Sequence, residues 1–286
     1  ADSGRTTYQI KNMGALAQIV VTYKDGSQEV IATDSEWRSA TGEILMSTIY
    51  DGETIDARRA QKGWSVAGFD DGAWQKVRVA DYSLSDLVPT ESEPVVTHKI
   101  LKPVAVITTP KGEKVLDFGQ NLVGREIFTY KGRAGQKITI SHAEVLDENG
   151  NFQPIKGNHK FADEYIAAGA GEEIFRNKFN HHAFQYIRIS NLKSAPEKVT
   201  GYLLSHNFKK SSEFDSSDKD LKAIYSMIEY TFNAISWGGY IVDCPHIERM
   251  GYGVDVIAPA ASTFTTIDKN CPQFENPLPA NTTFRQ

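Results

Sequence analysis

Short runs of β-branched and aromatic residues, each closed by a turn dipeptide, fill the first three quarters of this 286-residue chain and constrain its fold more than any other feature. Leu16 to Tyr23 (LAQIVVTY) is followed by Asp25-Gly26, and Gln28 to Thr33 returns as a second run. Asp-Gly between two such runs marks a hairpin, because both residues tolerate the positive φ that a tight two-residue turn demands. Ile44 to Tyr50, Val104 to Thr109, Lys114 to Phe118, Glu126 to Tyr130 and Lys137 to His142 continue the pattern, punctuated by Asp51-Gly52, Lys111-Gly112, Lys131-Gly132 and Asn149-Gly150. Glu164 to Ala168, Glu173 to Phe179, Phe184 to Ile189 and Val199 to Leu204 complete it. No helical periodicity intervenes, so the expected fold class is mainly β, with tandem antiparallel β-sandwiches. A composition shift at Pro89 to Pro94 (PTESEP) reads as a linker, giving one sandwich over residues 1–92 and a second over 93–207.

The pattern changes after Asn207. Ser216-Ser217-Asp218 with Asp220 forms a helix N-cap region. Leu221, Ile224, Tyr225, Ile228, Phe232 and Ile235 then fall on one face of an α-helix, which Gly238-Gly239 is expected to end. A second helix is expected within Val254 to Thr266, started or kinked by Pro259. Two helices cannot bury a core of their own, so residues 208–286 read as the opening of a larger helical unit.

Composition excludes several functions. A formal charge of −5, from 36 Asp and Glu against 31 Lys and Arg, argues against a nucleic-acid partner, whose binding rests on clustered cations. No apolar run approaches the roughly 20 residues that span a bilayer, so no membrane partner is expected. The two cysteines, Cys244 and Cys271, form no CxxC knuckle; a single bridge between them stays open. The start, Ala1-Asp2-Ser3-Gly4, has neither an initiator Met nor a signal-peptide pattern. The expectation is that something was removed there or that the chain begins partway through a longer one. Compartment is left open, with the periplasm or exterior favoured over the cytoplasm.

The densest polar cluster lies between the two expected helices: Asp243-Cys244-Pro245-His246-Ile247-Glu248-Arg249, then Gly251-Tyr252-Gly253 and Asp255. Carboxylates on an irregular loop at a helix mouth suit acid/base chemistry on a sugar, where one is held protonated and others accept hydrogen bonds from hydroxyls. On residue type alone a helix-capping loop, with Asp243 as the cap, Glu248 and Arg249 solvated and Asp255 opening the next helix, is the favoured alternative.

The run Asp243-Cys244-Pro245-x-x-Glu248-Arg249-x-Gly251-Tyr252-x-x-Asp255 resembles the signature of bacterial α-L-rhamnosidases of glycoside hydrolase family 78, typically D-C-P-x-R-E-R-x-G-W-x-G-D. Ile49-Tyr50-Asp51-Gly52-Glu53, Asp56-Ala57-Arg58, Gly63-Trp64, Gly68-Phe69-Asp70-Asp71 and Trp74 are similar to that family's N-terminal β-domain. Asp117-Phe118-Gly119-Gln120-Asn121, Gly124, Gly132, Gly135 and His142-Ala143-Glu144 are similar to its second β-sandwich. The resemblance runs from Leu16 to Asp268. It implies an (α/α)6 catalytic barrel after the β-domains and removal of terminal α-L-rhamnose, from glycosides or polysaccharides, with inversion. It implies Glu248 as general acid and Asp243, Asp255, Arg249 and Tyr252 as substrate-holding residues, with no metal or cofactor. The general base, a Glu in the family, comes from far downstream.

Three departures stand out: Ile247 replaces the Arg before the acid, Tyr252 replaces a Trp, and Gly253-Val254 replaces x-Gly. Only 18 residues follow Asp268, against the roughly 300 that twelve helices and their loops require, so the chain is expected to hold an incomplete barrel and to turn over little substrate alone. The second hypothesis is accordingly a non-catalytic carbohydrate-binding or scaffolding β-sandwich protein.

Other signals carry bland readings. Asp117-Phe118-Gly119 lacks the glycine loop, lysine and HRD context of a kinase and reads as a strand end with a turn. His181-His182, with His142, His159 and His206, has no metal-ligand spacing. Cys244 reads as a small buried thiol, and Trp37, Trp64 and Trp74 as core rather than a sugar platform.

Overall fold

The computed structural model describes residues 14–251, apart from 82–84, 86, 91, 193–195, 197, 211, 238 and 239. In chain order its first strands are β1 (Gln18–Thr22), β2 (Gln28–Ala32), β3 (Arg38–Ser39), β4 (Ile44–Thr48), β5 (Gly52–Asp56) and β6 (Gln75–Lys76). Next come β7 (Val95–Leu101), β8 (Ala105–Thr108), β9 (Lys114–Lys131), β10 (Lys137–Ala143), β11 (Ala162–Ile166), β12 (Glu172–Arg176), β13 (His182–Ser190) and β14 (Val199–His206). Helix α1 (Lys219–Ile235), β15 (Ser236–Trp237) and β16 (Tyr240–Ile241) follow. The chain divides into two units.

The first unit comprises, of the described residues, those within 14–42 and 61–89. Its β1–β2 hairpin turns at Asp25-Gly26, where Gly26 takes φ 84° and donates to the Tyr23 carbonyl at 3.0 Å. The β3–β6 ladder is two residues long. With so little paired surface this unit buries few side chains, and none of the described buried apolar residues belongs to it. The tryptophans expected in a core are therefore not there: Trp64 is 65% exposed and Trp37 41%, while Trp74 is half-buried with its ring tilted against Phe69 at 5.6 Å.

The second unit, residues 43–60 together with the described residues from 90 onward, is built on one ten-stranded sheet. The strand order is β4-β5-β11-β10-β13-β9-β14-β7, with β8 and β12 also pairing with β9. Pairing is antiparallel except between β5 and β11. The Ile44 to Tyr50 run thus enters the large sheet through β4. The two runs read from sequence as separate strands, Lys114 to Phe118 and Glu126 to Tyr130, are one 18-residue strand. Residues 115–117 and 122–124 pair with β13 across a register shift between Phe184 and Tyr186, and residues 124–128 pair with β14, so one strand carries both runs. Asp117-Phe118-Gly119 lies inside β9 rather than at its end; Gly119 bends it at φ 69°. The sheet curls around a core of Phe118, Leu122, Phe128, Ile138, Ile140, Phe175, Phe184 and Ile187, with Phe128 stacked on Phe175 at 4.9 Å.

Helix α1 starts where the sequence places it: the Asp218 carboxylate accepts the Asp220 and Leu221 amides at 2.9 and 3.4 Å. It stops at Ile235, before the two glycines, and its chain turns into the β15–β16 pair. Phe232 and Ala234 are buried, whereas Leu221, Ile224 and Ile228 stay exposed. The second helix expected within Val254 to Thr266 lies outside the described residues. Among the described residues no helix is long and apolar enough to cross a membrane.

Candidate active site

The polar loop leaves β16 and closes on itself. The Asp243 amide donates to the Met250 carbonyl at 2.9 Å, and the Met250 amide returns a bond to Asp243 Oδ1 at 3.1 Å. Inside this ring the Arg249 amide donates to the Cys244 carbonyl at 3.1 Å and the Glu248 amide to Cys244 Sγ at 3.3 Å. Asp243, Cys244 and Glu248 each offer an atom within 4.8 Å of the others, and all three are half-buried. Burial pushes the Asp243 carboxyl up, but a hydrogen bond with the Glu248 side chain and bonds from the Cys244 and Met250 amides outweigh it, holding Asp243 below its ordinary range. Burial pushes the Cys244 thiol up, which keeps it a neutral thiol rather than a nucleophile.

Arg249, read from the sequence among the substrate-holding residues, turns inward. It is 2% exposed, sits in left-handed backbone at φ 56°, and donates to Asn180 Oδ1 at 3.1 Å and to His182 Nδ1 at 3.3 Å. Burial lowers its guanidinium to about 10 against the support of Asp163. Tyr252 and Asp255 lie outside the described residues.

Behind Arg249 lies a buried polar layer that sequence spacing did not reveal. His182 Nε2 is 3.0 Å from Asp163 Oδ2, which also accepts from Asn177 Nδ2 at 3.0 Å, while Asp163 Oδ1 accepts the Glu53 amide at 2.6 Å. His142 Nε2 is 3.1 Å from Glu126 Oε1, and the His142 and His182 rings stack at 3.8 Å and 10°. Burial, together with the Arg249 guanidinium beside it, keeps His182 well below its ordinary value, hence neutral. A readable signal did exist in the period of two. His142 continues the inward register of Ile138 and Ile140, His182 shares that of Phe184, Glu126 that of Phe128, and Asp163 that of Tyr165. Polar residues on a core-facing register announce a buried network.

His142, Asp163 and His182 bring three potential ligand atoms within 4.8 Å of one another, yet their geometry does not suit an ion. Imidazole lone pairs lie in the ring plane, and two nearly parallel rings 3.8 Å apart cannot both aim at one point. The Arg249 charge beside His182 adds repulsion.

Two motifs from the first sheet residues converge on the same loop. Asn121 donates to Glu144 Oε1 at 2.9 Å, Glu144 Oε2 lies 3.4 Å from His246 Nδ1, and the Tyr230 hydroxyl of α1 donates to the Asn121 carbonyl at 2.5 Å. Strand β9, the end of β10, α1 and the loop are thereby tied together.

Comparison with known proteins places these features. Residues 1–99 match the α-L-rhamnosidase N-terminal domain, residues 107–205 the bacterial α-L-rhamnosidase concanavalin-like domain, and residues 209–272 the bacterial α-L-rhamnosidase six-hairpin glycosidase domain. An α-L-rhamnosidase of Streptomyces avermitilis is 34% identical over 261 residues, covering 86% of this chain and 25% of the relative. One from Formosa agariphila is 32% identical, covering 84% and 27%. The chain spans about a quarter of the length of the curated relatives it matches. Among solved structures, α-L-rhamnosidase from Dictyoglumus thermophilum superposes with a TM-score of 0.81 at 28% identity, over 90% of this chain and 29% of that one. The Streptomyces avermitilis enzyme complexed with L-rhamnose gives 0.79 at 31%, over 91% and 26%.

Proposed function

The chain belongs to the bacterial α-L-rhamnosidase family, and from that premise we propose that its 243–250 loop supplies the acid half of an inverting glycoside hydrolase acting on terminal α-L-rhamnose. The observation that carries this reading is the closed 243–250 loop, which brings ligand-type atoms of Asp243 and Glu248 within 4.8 Å of each other. Two carboxyl groups share a hydrogen bond only if one of them keeps a proton. Asp243 is held below its ordinary range by its bond with Glu248 and by its amide donors, which makes Glu248 the member of the pair placed to supply a proton.

Glu248 then has what a general acid needs: an anionic neighbour in Asp243, partial shelter from water and a backbone fixed by the Cys244 bonds. In the reaction it donates that proton to the glycosidic oxygen as the bond to the anomeric carbon breaks. A second carboxylate about 6.5–9.5 Å from it would take a proton from the attacking water on the opposite face of the ring. Once Glu248 has lost its proton, repulsion from Asp243 favours its reprotonation for the next cycle. Ile247, where the family carries Arg, removes one cation from beside this pair, and Arg249 on the other side is turned into the sheet.

The test is hydrolysis of p-nitrophenyl α-L-rhamnoside, by this chain and by the full product of its reading frame, with proton NMR reporting the anomer released first. Glu248→Gln should lower turnover by about 10²–10⁴-fold, the usual worth of a positioned acid, while leaving L-rhamnose binding in place. Unchanged hydrolysis in the variant removes Glu248 from the mechanism. Rhamnose binding with no hydrolysis by any form favours a carbohydrate-binding role instead.

A further inference from the structure

We infer that Asp163, His182 and Arg249 form a positioning device that fixes the Glu248 carboxyl from inside the β-sheet, an inference that rests on Glu248 being the acid. The line is continuous. Asp163 accepts at both oxygens, so the His182 Nε2 facing it at 3.0 Å is the protonated nitrogen. His182 Nδ1 is then a lone pair, and it receives the Arg249 guanidinium at 3.3 Å. One tautomer therefore serves both contacts, and a second proton on His182 would break the Arg249 bond and set two cations face to face.

Arg249 is the residue directly after Glu248, and its φ of 56° is a conformation that a non-glycine residue adopts only when its surroundings impose it. What imposes it is the inward side chain, forked onto Asn180 and His182. Asn180 is fixed in turn by its Nδ2 bond to the Thr48 carbonyl at 3.0 Å and by the His181 amide on its Oδ1 at 2.8 Å. The His142 ring, held by Glu126 and stacked on His182, sets the plane of the imidazole.

A buried guanidinium is a poor stabiliser: desolvation offsets much of its attraction, and its Nε has no hydrogen-bond partner among the described residues. Such a group makes physical sense as an anchor. It converts the rigidity of β10, β11 and β13 into a fixed direction for the side chain one position earlier. The concanavalin-like sheet is on this view part of the acid's support and not a detached module.

The experiment uses the 286-residue chain and needs no turnover. Arg249→Met and Arg249→Lys are compared with the parent by amide hydrogen exchange and by the pH titration of the Asp243 carboxyl followed by carbon-13 NMR. Loss of the anchor should speed exchange at Glu248 and Met250 by about tenfold or more, with β13 amides unchanged, and should move the Asp243 midpoint up toward its ordinary value. Lysine, which keeps the charge without the fork, should recover part of both. Asp163→Asn should reproduce the loop signature without touching the loop. If Arg249→Met does not fold, the Lys and Asn variants carry the same readouts. Unaltered exchange and an unaltered Asp243 midpoint in folded variants overturn the positioning role. A fully active Glu248→Gln protein would instead overturn the acid assignment while leaving the loop result intact.

Discussion

Gly124 shows how far a single side chain decides this fold. It pairs with His182 of β13 on one side and Leu203 of β14 on the other, and a Cβ there would lie 1.8 Å from the Tyr202 carbonyl oxygen. The neighbour is backbone, so nothing can swing away. Gly124→Ala should destabilise the sheet by about 2–4 kcal/mol or prevent folding, and denaturant unfolding followed by tryptophan fluorescence will measure it. An Ala variant as stable as the parent would mean that β9 and β14 separate more readily than their pairing implies. Two residues on, the strand's inward polar residue Glu126 is fully buried, with His142 Nε2 3.1 Å from its Oε1. At this scale the sequence displayed the residues of the loop and their chemistry. It did not display that Arg249 points inward, because a charged side chain beside an acidic residue looks the same on paper whether it faces solvent or core.

Among the elements, the junction of β13 with β15 carries the clearest pH dependence. The His181 ring stacks on Trp237 at 3.9 Å and 4°, and its Nε2 is sealed from solvent without a hydrogen-bond partner among the described residues. Burial, reinforced by the nearby Arg249 charge, lowers this histidine from 6.5 to about 3. The folded state therefore keeps it neutral while the unfolded chain takes up a proton, and stability falls as pH drops below 6.5. Asp163 works the other way, since burial raises its carboxyl, so the total profile mixes opposing groups. His181→Phe isolates one of them. The ring stack is kept, and the variant should lose less stability than the parent by about 1.4 kcal/mol per pH unit between 6.5 and 3. Parallel curves in urea titrations at pH 7, 6 and 5 would show that His181 titrates normally. The strands themselves were largely legible, since alternation and turn dipeptides act over a few residues. The fusion of two runs into β9 was not, because only the partners at 115–117 and 122–128 on neighbouring strands carry the strand across the irregular stretch between them.

For the molecule as a whole, the exposed face of α1 sets the behaviour in solution. Leu221 is 49% exposed, Ile224 47% and Ile228 43%, and they lie at offsets of three and four on one side of the helix. A contiguous apolar face of this kind drives association. The 286-residue chain should self-associate in sedimentation velocity at micromolar concentration, and Leu221→Lys with Ile228→Lys should return it to monomer with the sheet unchanged by circular dichroism. A monomeric parent chain would show that this face is covered. The three domain matches follow the sequence motifs in order along the chain, which spans about a quarter of each of these curated relatives.

The chain's linear order determined its β character, the cap and face of α1, and the Asp243-to-Arg249 loop chemistry. Each of these is written in the spacing of neighbouring residues and in the conformational limits of glycine, proline and β-branched side chains. Only the folded sheet decided that His142, Asp163 and His182 meet behind Arg249, because residues separated by tens of positions are joined by strand register, not by any local preference. Burial is the reason the difference matters: a histidine or an arginine acquires its tautomer, its partner and its purpose from what surrounds it once water is gone.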